Sequence, residues 1–537
     1  MISTTTLNVS SVSFSQSKQF SPILIDYLNG DEKLKSFYKY APKIDAFAEV
    51  IENKKKQIID RNTLVKVLNE QYAHAAIKPT VEVQKNIDSL LNENTFTITT
   101  GHQLALFTGP LYFIYKIVTT INTAKQLKEK YPSTNFVPVF WLASEDHDLE
   151  EINHVNLFGK ILSCDLGKGS PAGLVSTKLV EPMLAELKTI LGESENANYL
   201  YNLFQTAYTK QSNLSDATKY IVHELFKNDG IVIIDGNYKE LKKQFTSVIK
   251  DELKNQSAFK IVSEINKELE KNYKIQASPR NINLFFIDPS QPPRRGGDVS
   301  RKRIVSREES TEKENTISVT EVIALVDTFP EQFSPNVLLR PLYQESILPN
   351  LAYIGGPAEV AYWLELKNLF KYHNIPFPVV MMRNSAMFLD EKSSRFKVES
   401  SKWFNPIDEL INEYVTENSA VEISFVKEYE QLKLFYADLE KKISQIDSTL
   451  SQSVKAESAK HIADLEKLEQ KLIKAEKRKH ETAINQIKSI KEKLFPNGVM
   501  QERHENFMPL YLKYGNNFFK LLNENFDSFN SAINIFM

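Results

Sequence analysis

The stretch TFTITTGHQLALFTGP at residues 95–110 and the stretch FVPVFWLASEDHD at residues 136–148 carry the clearest structural pattern in this 537-residue chain. The first begins with β-branched and aromatic residues, which predict a strand that ends at a glycine turn. The apolar run at 136–143 predicts a second, buried strand. Between them, apolar residues recur at the three- and four-residue spacing of an amphipathic helix: Ile114, Ile117, Ile121, Ala124 and Leu127. The sequence therefore predicts a right-handed βαβ unit with parallel strands.

Polar residues follow both predicted strands at the point where each strand ends. They are Thr100, Gly101, His102, Gln103, Thr108 and Gly109 after the first strand, and Glu145, Asp146, His147 and Asp148 after the second. Ligands of open parallel sheets bind beyond the carboxyl ends of the strands, so we expect these residues to line a binding crevice. The alternative is that the glycines only form turns, the first cluster bonds to local backbone, and the acidic run is a solvated loop.

Further apolar runs predict more strands, separated by helical patterns. They lie at 231–234, 283–287, 337–339, 351–354 and 379–382. This alternation predicts an α/β fold with a Rossmann-like, doubly wound parallel sheet of five or six strands and helical insertions.

Polar groups again follow the last three of these strands. They are Arg340, Gly355, Gly356, Glu359 and Arg383. The two glycines precede a proline, so their backbone N–H groups could meet an anion at a helix N-terminus. The planar guanidinium of arginine suits a carboxylate or a phosphate. Structural ion pairs and a helix-capping glutamate are the alternative.

From about residue 388 the pattern changes to long charged helices. Apolar residues between Tyr429 and Leu450 alternate spacings of three and four, which is a heptad pattern. With a second helix over about 454–495, this predicts an antiparallel coiled coil that also forms a homodimer. We expect four regions: a helical lead-in at 1–94, the core at 95–387 with insertions at about 165–228 and 240–333, the coiled coil at 388–506, and a terminal helical segment at 507–537 that packs on the core.

Composition narrows the class of protein. The chain is 42% hydrophobic and has a formal net charge of −2, so nothing indicates a nucleic-acid or anionic membrane partner. Its single cysteine, Cys164, excludes an intramolecular disulfide and a cysteine-rich zinc site. No secretory signal pattern and no membrane-spanning apolar stretch is found, so we expect a cytoplasmic protein.

Two glycine- or arginine-rich segments are interpreted as loops outside the site. Residues 166–173, LGKGSPAG, lack the spacing of a phosphate-binding loop and predict a plain turn. Residues 289–303 hold five cations without an interleaved aromatic residue, and predict a solvated loop. The five are Arg294, Arg295, Arg301, Lys302 and Arg303.

Several segments closely resemble the cysteine ligases of bacillithiol biosynthesis, a family of cysteine-adding enzymes. They are TGHQ at 100–103, FTGPLY at 107–112, WLASEDHD at 141–148, EINH at 151–154, NVLLRP at 336–341, GGPAEVAYW at 355–363, LFPNG at 494–498 and QER at 501–503. The resemblance implies a Rossmann-like core with connecting insertions and a coiled coil used for dimerisation. It also implies the addition of cysteine to glucosaminyl-malate, through an amide bond, as the last step of bacillithiol biosynthesis.

The implied reaction assigns roles to the candidate residues. The candidate catalytic residues are His102, Gln103, His147 and Asp146. The candidate substrate- or nucleotide-binding residues are Thr100, Gly101, Thr108, Gly109, Glu145, Asp148, Asn153, Arg340, Gly355, Gly356, Glu359 and Arg383. We expect His102 to serve acyl or phosphoryl oxygens, His147 to accept a proton and Arg340 to pair with malate. Amide formation from a free carboxylate is uphill in water, so we expect ATP with Mg²⁺ and no metal held by the protein alone.

Two other hypotheses come from the same residues. Asp146, His147, Asp148 and His154 offer oxygen and imidazole ligands, so a metal-dependent hydrolase or transferase is one alternative. The other is a non-catalytic scaffold, in which the coiled coil is the functional part and the core is only a platform.

Overall fold

The computed structural model describes residues 7–288, 300–306, 316–390, 398–419 and 424–537. The chain divides into two compact units. The larger consists of Ser13–Ala386 and Glu502–Asn534, and the smaller of Met1–Val12, Met387–Gln501 and Ile535–Met537.

The larger unit is built on a parallel sheet. The strands of the described chain are β1 (Val9–Ser13), β2 (Thr95–His102), β3 (Asn135–Leu142), β4 (His154–Leu157), β5 (Lys160–Ser163), β6 (Val232–Asp235), β7 (Leu284–Asp288), β8 (Ser300–Val305), β9 (Thr316–Ser318), β10 (Phe333–Pro335), β11 (Asn350–Gly355), β12 (Val379–Met382), β13 (Ser385–Phe388) and β14 (Ala532–Phe536). Five of them form a parallel sheet in the order β12-β11-β2-β3-β6. The predicted α/β fold with a Rossmann-like parallel sheet is therefore confirmed.

The order of strands in this sheet reverses at β2. The chain runs from β2 to β3 and β6 on one side, and then returns to place β11 and β12 on the other side. The loops that leave the carboxyl ends of β2 and β11 therefore diverge, which opens a crevice between them. The sheet thus positions a ligand site at the glycine-containing ends of these two strands.

The rest of the described chain consists mainly of helices. They are α1 (Phe14–Ser17), α2 (Pro22–Asn29), α3 (Phe47–Lys54), α4 (Arg61–His74), α5 (Val81–Ser89), α6 (Tyr112–Lys130), α7 (Leu149–Ile152), α8 (Glu181–Leu191), α9 (Glu195–Lys210), α10 (Leu214–Phe226), α11 (Lys239–Lys243), α12 (Thr246–Asn255), α13 (Ser257–Leu269), α14 (Val319–Val322), α15 (Leu339–Ile347), α16 (Pro357–Trp363), α17 (Lys367–Tyr372), α18 (Ile407–Asn418), α19 (Val426–Ser444), α20 (Ser451–Lys477), α21 (Glu481–Leu494), α22 (Gln501–His504), α23 (Met508–Tyr514) and α24 (Asn517–Asn525). Helix α6 joins β2 to β3 and buries all five residues of its predicted apolar face. Among the described helices, none has the length and apolar character needed to span a membrane.

One predicted strand is a helix instead. Residues 337–339 lead into α15, because the Asn336 side chain accepts hydrogen bonds from the N–H groups of Leu338 and Leu339 (3.0 and 3.4 Å) and so begins a helical turn. Pro341 then falls in the first turn of the helix, where a missing N–H costs nothing. The short apolar run alone did not distinguish a strand from this helix start.

A second sheet lies in the predicted insertion. It has the order β10-β7-β8-β9, and β7 is antiparallel to both β10 and β8. The predicted strand at 283–287 therefore exists but belongs to this sheet. The prediction of a solvated loop is wrong for residues 300–303, because they form β8, whereas Arg294 and Arg295 lie outside the described residues.

The smaller unit contains the predicted hairpin of long helices. The Tyr429 hydroxyl donates to Glu469 at 2.9 Å, and Lys455 pairs with Glu440 at 3.2 Å, so α19 and α20 run antiparallel. The predicted second helix is broken, because α20 ends at Lys477 and α21 starts at Glu481. The buried apolar residues of α21 follow a different phase from the heptad seam. One straight helix would not bury both sets of residues on the same face.

The segment at 502–534 fastens parts of the larger unit together. The Asn122 side chain on α6 donates to the carbonyls of Asn523 and Phe526, both at 2.9 Å. The fully buried Glu502 carboxylate accepts two hydrogen bonds from the Arg383 guanidinium, at 2.7 and 3.1 Å. This pair joins the end of β12 to α22.

Replacing Glu502 by alanine should lower the free energy of unfolding of the larger unit by about 3–5 kcal/mol, because the buried Arg383 charge loses its partner. Urea unfolding measures this loss. The control is Lys125→Gln, which breaks an exposed pair with Asp229 (3.0 Å) and should cost less than about 1 kcal/mol. Equal losses in the two variants would contradict the structural role of the buried pair.

Candidate functional site

A cavity of about 690 Å³ lies beyond the carboxyl ends of β2, β3 and β11 in the larger unit. Many of the candidate residues line it: Gly101, His102, Gln103, Glu145, Asp146, His147, Arg340, Gly356, Glu359 and Arg383. They come from five separate parts of the chain, which the fold of the larger unit brings to one edge of the parallel sheet.

The other candidate residues lie around the cavity and do not line it. The Thr100 hydroxyl donates to the Ile354 carbonyl at 2.8 Å and so links β2 to β11. Asp148 is exposed and caps α7 by accepting from the Glu151 N–H at 3.3 Å. The remaining members are Thr108, Gly109, Asn153 and Gly355. The contacts of Thr100 and Asp148 support the structural alternative for these two positions.

The turn before α6 is held in an unusual backbone conformation. Phe107, Thr108 and Gly109 have φ angles of 54°, 72° and 59°, and a β-branched threonine rarely adopts such an angle. The Asn506 side chain donates to the carbonyls of Phe107 and Gly109, at 2.9 and 2.6 Å. A Cβ atom on Gly109 would lie 2.8 Å from that of Ala105, so glycine is needed here. The TGP motif therefore fixes the start of α6.

An acidic patch occupies one side of the cavity. The Gln103 side-chain amide donates to Asp146 at 2.9 Å and to Glu151 at 2.8 Å, so one amide from the β2 loop holds two carboxylates in place. A second Asp146 oxygen accepts from the His147 N–H at 2.7 Å. Two carboxylates side by side are suited to an ammonium group of a ligand.

Glu145, in contrast, is engaged by a buried lysine. Its carboxylate lies 2.7 Å from the Lys242 ammonium, which is fully buried and also donates to the Phe333 carbonyl. Burial lowers the pKa of Lys242, and Glu145 opposes that effect by stabilising the charge. Because the lysine needs this partner, Asp146 is a better candidate than Glu145 for an ammonium ligand.

A network around Glu359 ties the ends of β2 and β11 together. The Glu359 carboxylate accepts from the Lys116 ammonium (2.6 Å), the Tyr353 hydroxyl (2.5 Å) and the Gly356 N–H (2.8 Å). Lys116 also donates to the Gly101 carbonyl at 2.5 Å. Burial raises the pKa of Glu359, but Lys116 and these hydrogen bonds outweigh it and lower the pKa to about 2. The Gly356 N–H is thus satisfied by a carboxylate, which contradicts its predicted role in binding an anion.

Two arginines on the basic side of the cavity each have a buried nitrogen without a hydrogen-bond partner among the described residues, Nη2 of Arg340 and Nε of Arg383. Arg340 donates through Nη1 to Gln344 at 3.1 Å and lies over the Tyr353 ring, but its buried Nη2 has no hydrogen-bond partner among the described residues. Arg383 also lines the cavity, but Glu502 engages it. Arg340 is therefore the better candidate for binding a substrate carboxylate.

The hydrogen bonds of His102 determine which ring nitrogen carries the proton. Its Nδ1 lies 2.9 Å from the Gln103 carbonyl, and a carbonyl only accepts, so Nδ1 is protonated and Nε2 has a free lone pair. Burial first, and then the Lys116 charge, lower the pKa of His102 to about 4. A neutral ring with this tautomer accepts hydrogen bonds through Nε2, so it does not suit the predicted role as a donor to oxygens.

His147 is held in the opposite tautomer to His102. Its Nδ1 lies 2.7 Å from Nη1 of Arg301, which can only donate, so Nδ1 accepts and the neutral ring carries its proton on Nε2. Arg301 is only 6% exposed and its guanidinium lies 3.9 Å from the centre of the Phe285 ring. Arg301 is thus part of the site, in contrast to the predicted loop.

Two family models match this chain. Residues 7–384 match the model described as "Bacillithiol biosynthesis BshC, N-terminal Rossmann-like domain", and residues 389–537 match "Bacillithiol biosynthesis BshC, C-terminal coiled-coil domain". The chain belongs to the bacillithiol biosynthesis BshC family. The resemblance inferred from the sequence motifs is therefore confirmed.

Individual relatives support the same assignment over nearly the whole chain. A protein of Flavobacterium psychrophilum is 44% identical over 514 residues, which cover 94% of each chain, and one of Flavobacterium johnsoniae is 41% identical over 95% of this chain and 96% of its own. A more distant one, from Bacillus cereus, is 27% identical over 92% of this chain and 94% of its own. All three carry the name "Putative cysteine ligase BshC".

In this member of the BshC family, the cavity has further lining residues that sequence patterns did not single out. They are Tyr112, Lys116, Glu151, Arg280, Arg301, Tyr353, Tyr362 and Arg503. Four of them lie inside the motifs of the family resemblance, and Lys116 is a lone charge on a buried stretch of α6, so these five carried a usable signal. The four are Tyr112, Glu151, Tyr362 and Arg503. Arg280 carried none, and Arg301 stood out only as one of five cations in a segment interpreted as a loop, because the positions of both residues depend on the insertion sheet.

The ligands of the metal-dependent alternative do not converge. Among the described residues, no group of three or more histidine, cysteine, aspartate or glutamate side chains is arranged to hold a metal ion. Asp146 is engaged by Gln103, and His147 by Arg301. The geometry therefore offers this alternative no ligand cluster within the described chain.

In the variant His102→Gln, the free energy of unfolding should decrease less as the pH is lowered than it does in the wild type. The unfolded histidine takes up a proton near pH 6.5 and the folded one near pH 4. The neutral ring therefore stabilises the fold above pH 6.5, and about 3 kcal/mol of this contribution is lost as the pH falls to 4. Unfolding measured at several pH values should show a shallower decrease for His102→Gln. The control His74→Gln, at an exposed position, should follow the wild type, and parallel curves for all three proteins would contradict the lowered pKa.

Proposed function

We propose that this protein is a ligase that adds cysteine to glucosaminyl-malate and forms an amide with the glucosamine amine, as the last step of bacillithiol biosynthesis. Membership in the BshC family supports the pathway, and the name that its relatives carry supports a cysteine ligase. The site offers an independent reason, which is the distribution of charge in its cavity.

The observation that carries the proposal is that each side of the cavity leaves one kind of charge available. On the acidic side, Asp146 and Glu151 are held by a neutral amide and retain their negative charge for a ligand. On the basic side, the buried Nη2 of Arg340 has no hydrogen-bond partner among the described residues. Cysteine brings an ammonium group and glucosaminyl-malate brings carboxylates, so the two substrates match the two sides.

His102 is the base in this proposal. When the glucosamine amine attacks the activated carboxyl carbon of cysteine, a C–N bond forms, the bond to the leaving group breaks, and the amine loses a proton. His102 lines the cavity, and its Nε2 lone pair is the group that would accept that proton. This assignment replaces the predicted one, in which His147 accepts the proton.

ATP with Mg²⁺ belongs to the proposal because a free carboxylate does not form an amide spontaneously in water. When bound, it would supply the energy that activates the cysteine carboxyl group. Arg280 and Arg503 line the cavity and have the planar donors that suit phosphate oxygens. These two residues would hold the phosphates, while Arg340 stays with the malate group.

The hairpin of α19 and α20 is proposed to form a homodimer. Leu434, Phe435 and Leu468 are 70%, 60% and 55% exposed on the single chain, and a second copy would cover them. We place this enzyme in the cytoplasm.

The ligase activity is tested by incubating purified protein with cysteine and glucosaminyl-malate, with and without Mg-ATP, and detecting the thiol product by mass spectrometry. We expect product only with ATP, together with AMP or ADP, because activation must precede amide formation. The released nucleotide identifies the kind of activation.

The control for this assay is His102→Ala, which should lower kcat by about 10²- to 10⁴-fold if the ring accepts a proton. A loss of less than tenfold would exclude the role given to His102. Absence of product from folded wild-type protein under every condition would contradict the ligase itself and favour the scaffold hypothesis.

Replacing Arg340 by methionine should raise the KM for glucosaminyl-malate by about 10- to 100-fold and leave the KM for cysteine nearly unchanged, because a charged hydrogen bond to a carboxylate is lost. Steady-state kinetics with each substrate varied in turn measures both values.

The matched variant for this experiment is Asp146→Asn on the opposite side of the cavity. It should raise the KM for cysteine by about tenfold and spare the KM for glucosaminyl-malate, because it removes charge from the acidic patch. If both variants changed the same KM, the proposed division of the cavity would be wrong.

A further inference from the structure

The two histidines of the cavity are held in opposite tautomers by groups with only one hydrogen-bonding option. The Gln103 carbonyl accepts from Nδ1 of His102 at 2.9 Å, whereas the Arg301 guanidinium donates to Nδ1 of His147 at 2.7 Å. His102 therefore has a lone pair on Nε2, and His147 has a proton there. Two identical side chains thus have complementary hydrogen-bonding abilities.

Arg301 is fixed on several sides. Its Nε and Nη2 donate to the Ser334 hydroxyl at 3.1 and 2.9 Å, and Nη2 also donates to the Pro335 carbonyl at 3.3 Å. The guanidinium stacks on the Phe285 ring. The backbone N–H of Arg301 donates to the Gly169 carbonyl at 3.1 Å. A buried side chain held in this way keeps its remaining donor, Nη1, aimed at His147.

We propose that Arg301 is a positioning residue for His147: it holds Nδ1 as an acceptor, so that Nε2–H serves as a neutral hydrogen-bond donor to the acyl oxygen of the reacting carboxyl group. The proposal rests on the ligase function. As the C–N bond forms, negative charge develops on that oxygen, and a donor that is already oriented stabilises it. No proton leaves His147 in this step, since the proton of the amine goes to His102.

The charges around His147 keep it neutral. Asp146 and Asp148 on its own loop raise its pKa, whereas Arg301 and Arg280 from the insertion lower it. Burial, the largest effect, acts in the same direction as the arginines, and the net pKa lies below the ordinary value of 6.5. The ring is therefore uncharged at neutral pH, and its tautomer is set by Arg301.

The tautomers can be measured without substrates, from the ¹⁵N chemical shifts of histidine-labelled protein, with His102→Gln and His147→Gln used to assign the signals. In the wild type we expect an unprotonated Nδ1 in His147 and an unprotonated Nε2 in His102. In Arg301→Gln, His147 should populate both tautomers, and its pKa should rise, because the two aspartates remain while the cation is gone.

The matched control is Lys302→Gln. Lys302 is the next residue of β8, so its side chain points to the other face, where it pairs with Asp288 at 2.8 Å. This variant should leave the signals of both histidines unchanged. A protonated Nδ1 in wild-type His147, or a tautomer that survives Arg301→Gln unchanged, would overturn the proposal.

Kinetics separates donation from proton transfer. Arg301→Gln should lower kcat by about 10²-fold with KM within about threefold, because the donor is misplaced but the substrates still bind. The amide of His147→Gln can still donate, so it should stay within about tenfold of the wild type, whereas His147→Ala should lose about 10²- to 10³-fold. Equal losses in these two variants would overturn the donor role.

If the wild type makes no product, the ligase function fails. The ¹⁵N chemical shifts of the ring nitrogens still decide whether Arg301 positions His147.

Discussion

The Lys116–Glu359 ion pair is the interaction on which the geometry of the site depends. It is located at the point where the strand order reverses, and it joins the loops after β2 and β11 through the Gly101 carbonyl and the Gly356 N–H. A buried lysine without a carboxylate would be strongly unfavourable, so this pair fixes α6 and α16 relative to the sheet. These paired charges therefore hold the two sides of the crevice together.

Ion pairing also determines which charged residues of the site are available to a ligand. Lys242 engages Glu145, and Glu502 engages Arg383, so neither cavity residue has its full charge available for a ligand. Asp146 lacks such a partner of opposite charge at hydrogen-bonding distance in the described chain, and Arg340 keeps an unsatisfied donor. The chemistry of the cavity therefore follows from the groups that the framework leaves available, which are fewer than the charged residues that line it.

The insertion sheet adds specific groups to a common core. A parallel sheet with a crevice at its switch point is a general platform, and its function depends on the side chains that reach the crevice. Here β8 brings Arg301 and the segment before β7 brings Arg280. Both cations lower the pKa of His147, and Arg301 gives it a different proton position from that of His102, although His102 ends β2 and His147 follows β3 of the same sheet.

The sequence by itself determined the βαβ unit, the parallel sheet, the helical hairpin and the family, because period-two and period-3.6 patterns and contiguous motifs are local properties of a chain. It also located His102 and Asp146, since polar residues at strand ends meet at one edge of a sheet, whereas Arg340 reaches the cavity from a helix where the sequence predicted a strand end. Only the tertiary structure decided which charges are engaged, and it placed Arg301 against His147, 154 residues away in the chain. Ion pairs and tautomers depend on which distant groups lie within about 3 Å, and no local pattern encodes that distance.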